Sequence, residues 1–218
     1  MPSKVSLAAT MLLLVSSISA HFTVQYPPPV GAFVDDEEPN PPCGGYSPNI
    51  NSVQLTDFHV DGDSIATTLT HQQGTWLYRI TTDPNAKGNW TEIFPIFQQS
   101  GQGAFCSSHV TVPHEFIGKK GYIGLISHAV DGYLWQCVGV NFVEGTGTAP
   151  SACKNATGVS ISYVDDNGLL GQLNNSGDAT SPQRTSNVGA SGKAESLKAI
   201  GGVLVVSVIA ALGMMFTI

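Results

Sequence analysis

Hydrophobic and polar positions alternate in short runs through the middle of this chain. Residues 53–60, 64–69, 75–82, 92–98, 105–112, 122–127, 134–143 and 159–164 are rich in β-branched and aromatic side chains. Turn residues separate them, among them Asp61-Gly62-Asp63, Asp83-Pro84-Asn85 and Asp131-Gly132. A period of two presents one face of each run to a core and the other to solvent, and helical spacing is scarce. This many short strands predicts an all-β fold, an antiparallel β-sandwich over residues 21–164. The segment 26–48 is dense in proline and cannot be a central strand, so it is expected as a long surface loop.

The ends of the chain follow other patterns. Residues 1–20 read as a secretory signal peptide: Lys4 supplies the positive start, 7–15 the apolar core, and Ile18-Ser19-Ala20 the cleavage site. Residues 165–187 are rich in Gly, Asn, Ser, Thr, Asp and Gln and read as a flexible polar stalk. In 188–218, small residues and a short polar spacer precede an uncharged apolar tail at 199–218. That order is the signal for a GPI anchor, with Asn187 or Gly189 as attachment residue and the tail removed. A membrane-spanning helix is the competing reading of the same tail. No basic residues follow it to anchor such a span.

Composition narrows the class further. The precursor has 218 residues and a net charge of −7. With no basic patch, nucleic-acid binding is not expected. The four cysteines, Cys43, Cys106, Cys137 and Cys153, follow the signal and show no CxxC pair. In an oxidising compartment they imply two disulfides rather than a zinc site. Three pairings are open; Cys106–Cys137 with Cys43–Cys153 is preferred, the second tying the N-terminal segment to the domain's end. Asn89, Asn155 and Asn174 begin N-glycosylation sequons.

Signal cleavage after Ala20 makes His21 the new N-terminus. An N-terminal histidine offers its α-amine and its ring Nδ1 to one metal, and imidazole is a good Cu(II) ligand. One further histidine completes a three-nitrogen histidine brace. His71, in a turn between two strand runs, leads the remaining histidines, with His128 second. His59, His109 and His114 read as strand or strand-end residues with ordinary surface roles. Asp131 reads either as an Asx-turn residue before Gly132 or as a carboxylate near the metal. The run Asp35-Asp36-Glu37-Glu38 reads as a solvated loop, with the gathering of metal ions as the alternative. Trp76, Trp90 and Trp135 read as core residues, with a sugar-binding platform as the alternative.

Several segments resemble one family. His21-Phe22-Thr23-Val24, Pro42-Cys43-Gly44-Gly45, His71-Gln72-Gln73-Gly74 and Asp131-Gly132-Tyr133-Leu134-Trp135-Gln136-Cys137 are similar to the X325 group of fungal copper proteins, relatives of lytic polysaccharide monooxygenases. The resemblance covers the signal, the domain and the anchor. It implies an immunoglobulin-like sandwich holding one Cu(II), with the amine and ring of His21, the ring of His71 and the carboxylate of Asp131 as ligands. It also implies copper uptake or cell-wall copper homeostasis without polysaccharide oxidation, hence no catalytic residues. The expected setting is the outer face of the plasma membrane or the cell wall, as a monomer, with a copper transporter or wall component as partner. The competing activity is a copper-dependent monooxygenase acting on wall polysaccharide.

Overall fold

The computed structural model describes residues 21–174. The signal peptide, most of the stalk, the candidate anchor sites Asn187 and Gly189 and the apolar tail lie outside these residues. So does the end of the Asn174 sequon.

Two sheets face each other. The smaller has three strands in the order β1-β3-β6: β1 Phe22–Tyr26, β3 Asp63–Leu69 and β6 Gly103–Val110. The larger runs β2-β8-β7-β4-β5-β9: β2 Thr56–His59, β8 Gly132–Val143, β7 Lys120–Ala129, β4 Gln73–Thr81, β5 Thr91–Ser100 and β9 Ser160–Tyr163. Every run expected from alternation contains a strand. β1 was not expected as one, because its few residues run directly into prolines and leave too little pattern to read. Pairing is antiparallel throughout except for β2, which lies parallel to the edge of β8.

The core lies between the sheets. Phe22, Val24, Ile65, Leu69, Phe105 and Val110 of the small sheet meet Trp76, Tyr78, Ile80, Phe97, Ile123, Leu125, Val138 and Phe142 of the large one. The outer face of the large sheet is covered too. Cys43, Val30 and Tyr46 of the proline-rich loop pack on Tyr122 and Cys137. Leu169 of a short helix, α1 Asn167–Gly171, packs on Leu77, Ile126 and Trp135. Burial on both faces explains why β4, β7 and β8 read as nearly continuous apolar runs. Trp76, Trp90 and Trp135 are all buried, which removes the sugar-platform reading.

Residues 165–174, expected to begin the stalk, instead pack on the sandwich. Asp166 caps α1 through Leu169 N–H at 3.0 Å, and its other oxygen lies 2.7 Å from His128 Nδ1. Arg79, buried with its guanidinium 4.0 Å from the Trp90 ring centroid, donates to the Gln172 carbonyl. Desolvation pushes Arg79 down to about 9.

The disulfides correct the expected pairing: they join Cys43 to Cys137 and Cys106 to Cys153. Cys137 belongs to β8 and points to the outer face, where the proline-rich loop carries Cys43. Cys106 lies on β6, in the other sheet. The segment after β8 runs along the free edge of β6, with Cys106 N–H donating to Asn155 Oδ1 at 2.8 Å and Ala156 N–H to the Ala104 carbonyl at 2.8 Å. That edge contact brings Cys153 to Cys106. Cys106 and Cys137 cannot meet because the large sheet separates them.

Candidate metal centre

Three chain segments reach one end of the sandwich. β1 starts where β3 ends, since Phe22 pairs with Leu69. Thr70, His71 and Gln72 cross from β3 in the small sheet to β4 in the large one. The tip of the β7–β8 hairpin lies at the start of β4, since Thr75 pairs with His128 and Ala129 with Gly132. Gly132 turns that hairpin at a φ of 126°, a left-handed conformation that favours glycine. His21, His71 and Asp131 therefore share one end of the fold.

Each of these histidines faces a carboxylate. His71 Nε2 lies 3.0 Å from Asp131 Oδ1, with the His71 side chain 10% exposed. His21 Nδ1 lies 3.4 Å from Asp35 Oδ1. Both nitrogens are buried and neither makes a geometrically sound hydrogen bond. The Phe33 ring, 5.0 Å from the His21 ring, walls the other side. The His21 backbone is pinned to the neighbouring strand end: its N–H donates to Thr70 Oγ1 at 2.9 Å, and its carbonyl accepts from Thr70 N–H at 3.0 Å.

The remaining histidines with an ion-pair partner are differently occupied. His59 Nδ1 pairs with Asp63 at 2.8 Å, His114 Nε2 with Asp61 at 2.6 Å and His128 Nδ1 with Asp166 at 2.7 Å. His128 also stacks on Tyr133 at 4.3 Å. Its ring thus serves the docked C-terminal segment.

Behind the two His–Asp pairs lies Glu38, 1% exposed. It accepts from Phe22 N–H at 3.3 Å and from Gln136 Nε2 at 2.8 Å. Burial pushes its carboxyl up to about 8 against those two hydrogen bonds, and the charges of Asp35 and Asp131 push the same way. Both carboxylates therefore lie within electrostatic reach of one buried acid.

Among the described residues no group of three or more His, Cys, Asp or Glu side chains forms a ready metal cage. The donor set suits a metal that takes few side chains: two imidazole nitrogens lacking hydrogen bonds, and flanking carboxylates. A soft-thiolate metal has nothing here, since both cysteine pairs are disulfides. Thr70 and Gln136 were not legible as site residues, and Asp35 and Glu38 were so only through the lesser reading of their acidic run. Asp35 and Glu38 sit in a run of acids that looks solvated. Gln136 carries a usable signal, a polar side chain inside an otherwise apolar strand run, because a buried polar group demands a partner.

Known proteins give this arrangement a context. Residues 19–158 match the family model described as Copper acquisition factor BIM1-like. The chain is 28% identical over 174 residues to a lytic polysaccharide monooxygenase-like protein X325 of Yarrowia lipolytica, covering 73% of this chain and 63% of that one. It is 28% identical over 162 residues to an uncharacterized protein of Aspergillus fumigatus, covering 70% and 66%. The chain thus spans a little under two-thirds of the length of either relative.

Proposed function

The chain belongs to the BIM1-like copper acquisition factor family, and from that premise we propose that it is a GPI-anchored, extracellular Cu(II)-binding protein of the histidine-brace kind. It takes one copper per domain as cargo, at His21, His71 and Asp131, for uptake or cell-wall copper homeostasis. The observation that carries this reading is the pair of buried ring nitrogens, His21 Nδ1 and His71 Nε2, each lacking a hydrogen bond and each facing a carboxylate.

Cleavage after Ala20 supplies the third nitrogen by turning the His21 peptide N–H into an amine. Three neutral nitrogens would leave the ion's charge intact, whereas Asp131 is a hard anionic donor that lowers it and favours Cu(II). Asp35, against the His21 ring, adds to that preference. Such a site suits holding copper better than reductive turnover.

The test is metal analysis with Cu(II) EPR on protein beginning at His21. One copper with a nitrogen-rich spectrum is expected, and a form retaining Met before His21 should lose most of its affinity. Equal affinity in both forms would eliminate the brace. Phosphatidylinositol-specific phospholipase C should release the cell-surface protein without residues 199–218. A membrane-bound form that still contains those residues by mass spectrometry supports a spanning helix instead.

Similarity to the lytic polysaccharide monooxygenase-like protein of Yarrowia motivates the second reading, a copper monooxygenase. It predicts oxidised oligosaccharides from chitin, cellulose or β-glucan when a reductant is present. The binding-protein reading predicts none, together with easier reduction to Cu(I) in Asp131→Asn.

A further inference from the structure

Phe22, the residue after His21, has both backbone groups held by side chains from elsewhere in the fold. Among the described residues β1 is an edge strand, paired only with β3. The His21 carbonyl turns inward to Thr70 N–H, so the N–H and C=O of Phe22 turn outward, where none of the described strands receives them. Buried backbone groups without partners are costly, and Phe22 is fully buried. Glu38 and Gln136 supply the partners. Phe22 N–H donates to both Glu38 oxygens at 3.3 Å. Gln136 Nε2 donates to the Phe22 carbonyl at 2.5 Å and to Glu38 Oε1 at 2.8 Å.

The two side chains are themselves fixed. Gln136 is 7% exposed and sits on β8 of the opposite sheet, so its bond to Phe22 crosses the sandwich. The Glu38 carbonyl accepts from Trp135 N–H at 2.9 Å, and two residues further along β8 Cys137 fastens the loop bearing Glu38 through Cys43. Gly44 lies against the same point at a φ of 63°, and a Cβ there would come within 2.5 Å of the Trp135 carbonyl. Residues 135–137 thus carry three consecutive attachments: loop backbone, β1 backbone and disulfide. An apolar pair would fill the space without burying a carboxyl, so filling alone does not account for Glu38 and Gln136.

We infer that Glu38 and Gln136 form a clamp on the Phe22 peptide groups and act as positioning residues for His21, setting the direction of its backbone nitrogen and ring at the metal centre. The clamp rests on the proposed role of His21 as a copper ligand. The α-amine and ring of His21 share one flexible residue, and both must be aimed together to chelate. Thr70 holds the His21 carbonyl from one side, and the clamp holds the N–H of that same peptide unit and the carbonyl of the next from the other.

The experiment uses protein beginning at His21, with Cu(II) as the probe. In the metal-free wild type the Phe22 amide should be strongly protected from hydrogen exchange, unlike a free edge-strand amide. Glu38→Leu and Gln136→Leu should each weaken Cu(II) binding by about 10- to 100-fold, the range for outer partners of metal ligands. They should also change the Cu(II) EPR parameters of the folded protein. Glu38→Gln, which keeps an acceptor for Phe22 N–H, should restore most of the affinity and the wild-type spectrum. Wild-type affinity and spectrum in folded Leu variants overturn the clamp, as does a freely exchanging Phe22 amide, a measurement that needs no variant to fold. His71→Ala is run alongside. If it binds Cu(II) as wild type does, or if wild type binds none, the brace reading fails and takes the clamp with it. If His71→Ala loses copper while the Leu variants do not, only the clamp fails.

Discussion

Thr70 and His21 are bonded in both directions. The His21 backbone nitrogen donates to Thr70 Oγ1 at 2.9 Å, and the same hydroxyl donates to the His21 carbonyl at 2.8 Å. One hydroxyl therefore holds both ends of the residue proposed to chelate copper, and it belongs to the neighbour of the second proposed ligand, His71. Thr70→Val keeps the side chain's shape and removes both bonds. It should lower Cu(II) affinity by about tenfold, with Thr70→Ser close to wild type. Competition titration against a Cu(II) chelator measures this. An unchanged affinity in Thr70→Val would show that His21 is oriented without the Thr70 hydroxyl.

Histidine substitutions should separate sharply. His71→Ala removes a buried nitrogen that has no hydrogen bond of its own, and its effect should exceed the roughly 10–100-fold of an outer-shell change. His59→Ala, His114→Ala and His128→Ala remove rings already paired to Asp63, Asp61 and Asp166, and should leave Cu(II) affinity in place. The same titration applies. A damaging His128→Ala beside a silent His71→Ala would reassign the second ligand.

Peptide mapping without reduction should recover Cys43 linked to Cys137 and Cys106 linked to Cys153. The first bridge spans 94 residues and the second 47. On chain entropy, each contributes about 4–5 kcal/mol. Replacing Cys43 and Cys137 together by serine should lower stability by about that amount in denaturant titration. It should also weaken Cu(II) binding, because the freed loop carries Asp35 and Glu38. Removing Cys106 and Cys153 should cost similar stability and spare the copper site. Equal effects of both double variants on copper binding would contradict this division of roles.

The metal-free protein should lose stability as pH rises from about 4.5 to about 8. Burial, opposed by hydrogen bonds from Gln136 and Phe22, raises the Glu38 carboxyl from 4.5 to about 8 in the fold. Across that window the folded chain keeps a proton that the unfolded chain has released, so each step up in pH favours unfolding. Below the window both states are protonated and the contribution is constant. Glu38→Gln is neutral throughout and should flatten this part of the Tm profile. Identical Tm slopes in wild type and variant would assign the pH dependence to other groups.

The strands from 53 to 164 were legible because side-chain alternation is local: each run declares its own two faces without reference to any other. β1 was not, since its few residues end at Pro27 and leave no period to read. The cysteine pairing failed for a related reason. Four cysteines carry no information about which side of a sheet each faces, and here that side decides everything: Cys137 looks outward to the proline-rich loop, Cys106 lies on the opposite sheet.

The candidate centre divides in the same way. By itself the chain determined that a histidine follows a signal-like segment, that His71 and Asp131 sit in turns, and that the body is a β-sandwich, because each of these depends on neighbours in sequence. Only the tertiary structure decided that His71 meets Asp131 and His21 meets Asp35. It also turned Glu38 from an apparently solvated acid into a buried acceptor for Phe22 and Gln136. Those contacts join residues far apart in the chain. The order of strands in the two sheets sets them, and no local pattern of residues encodes that order.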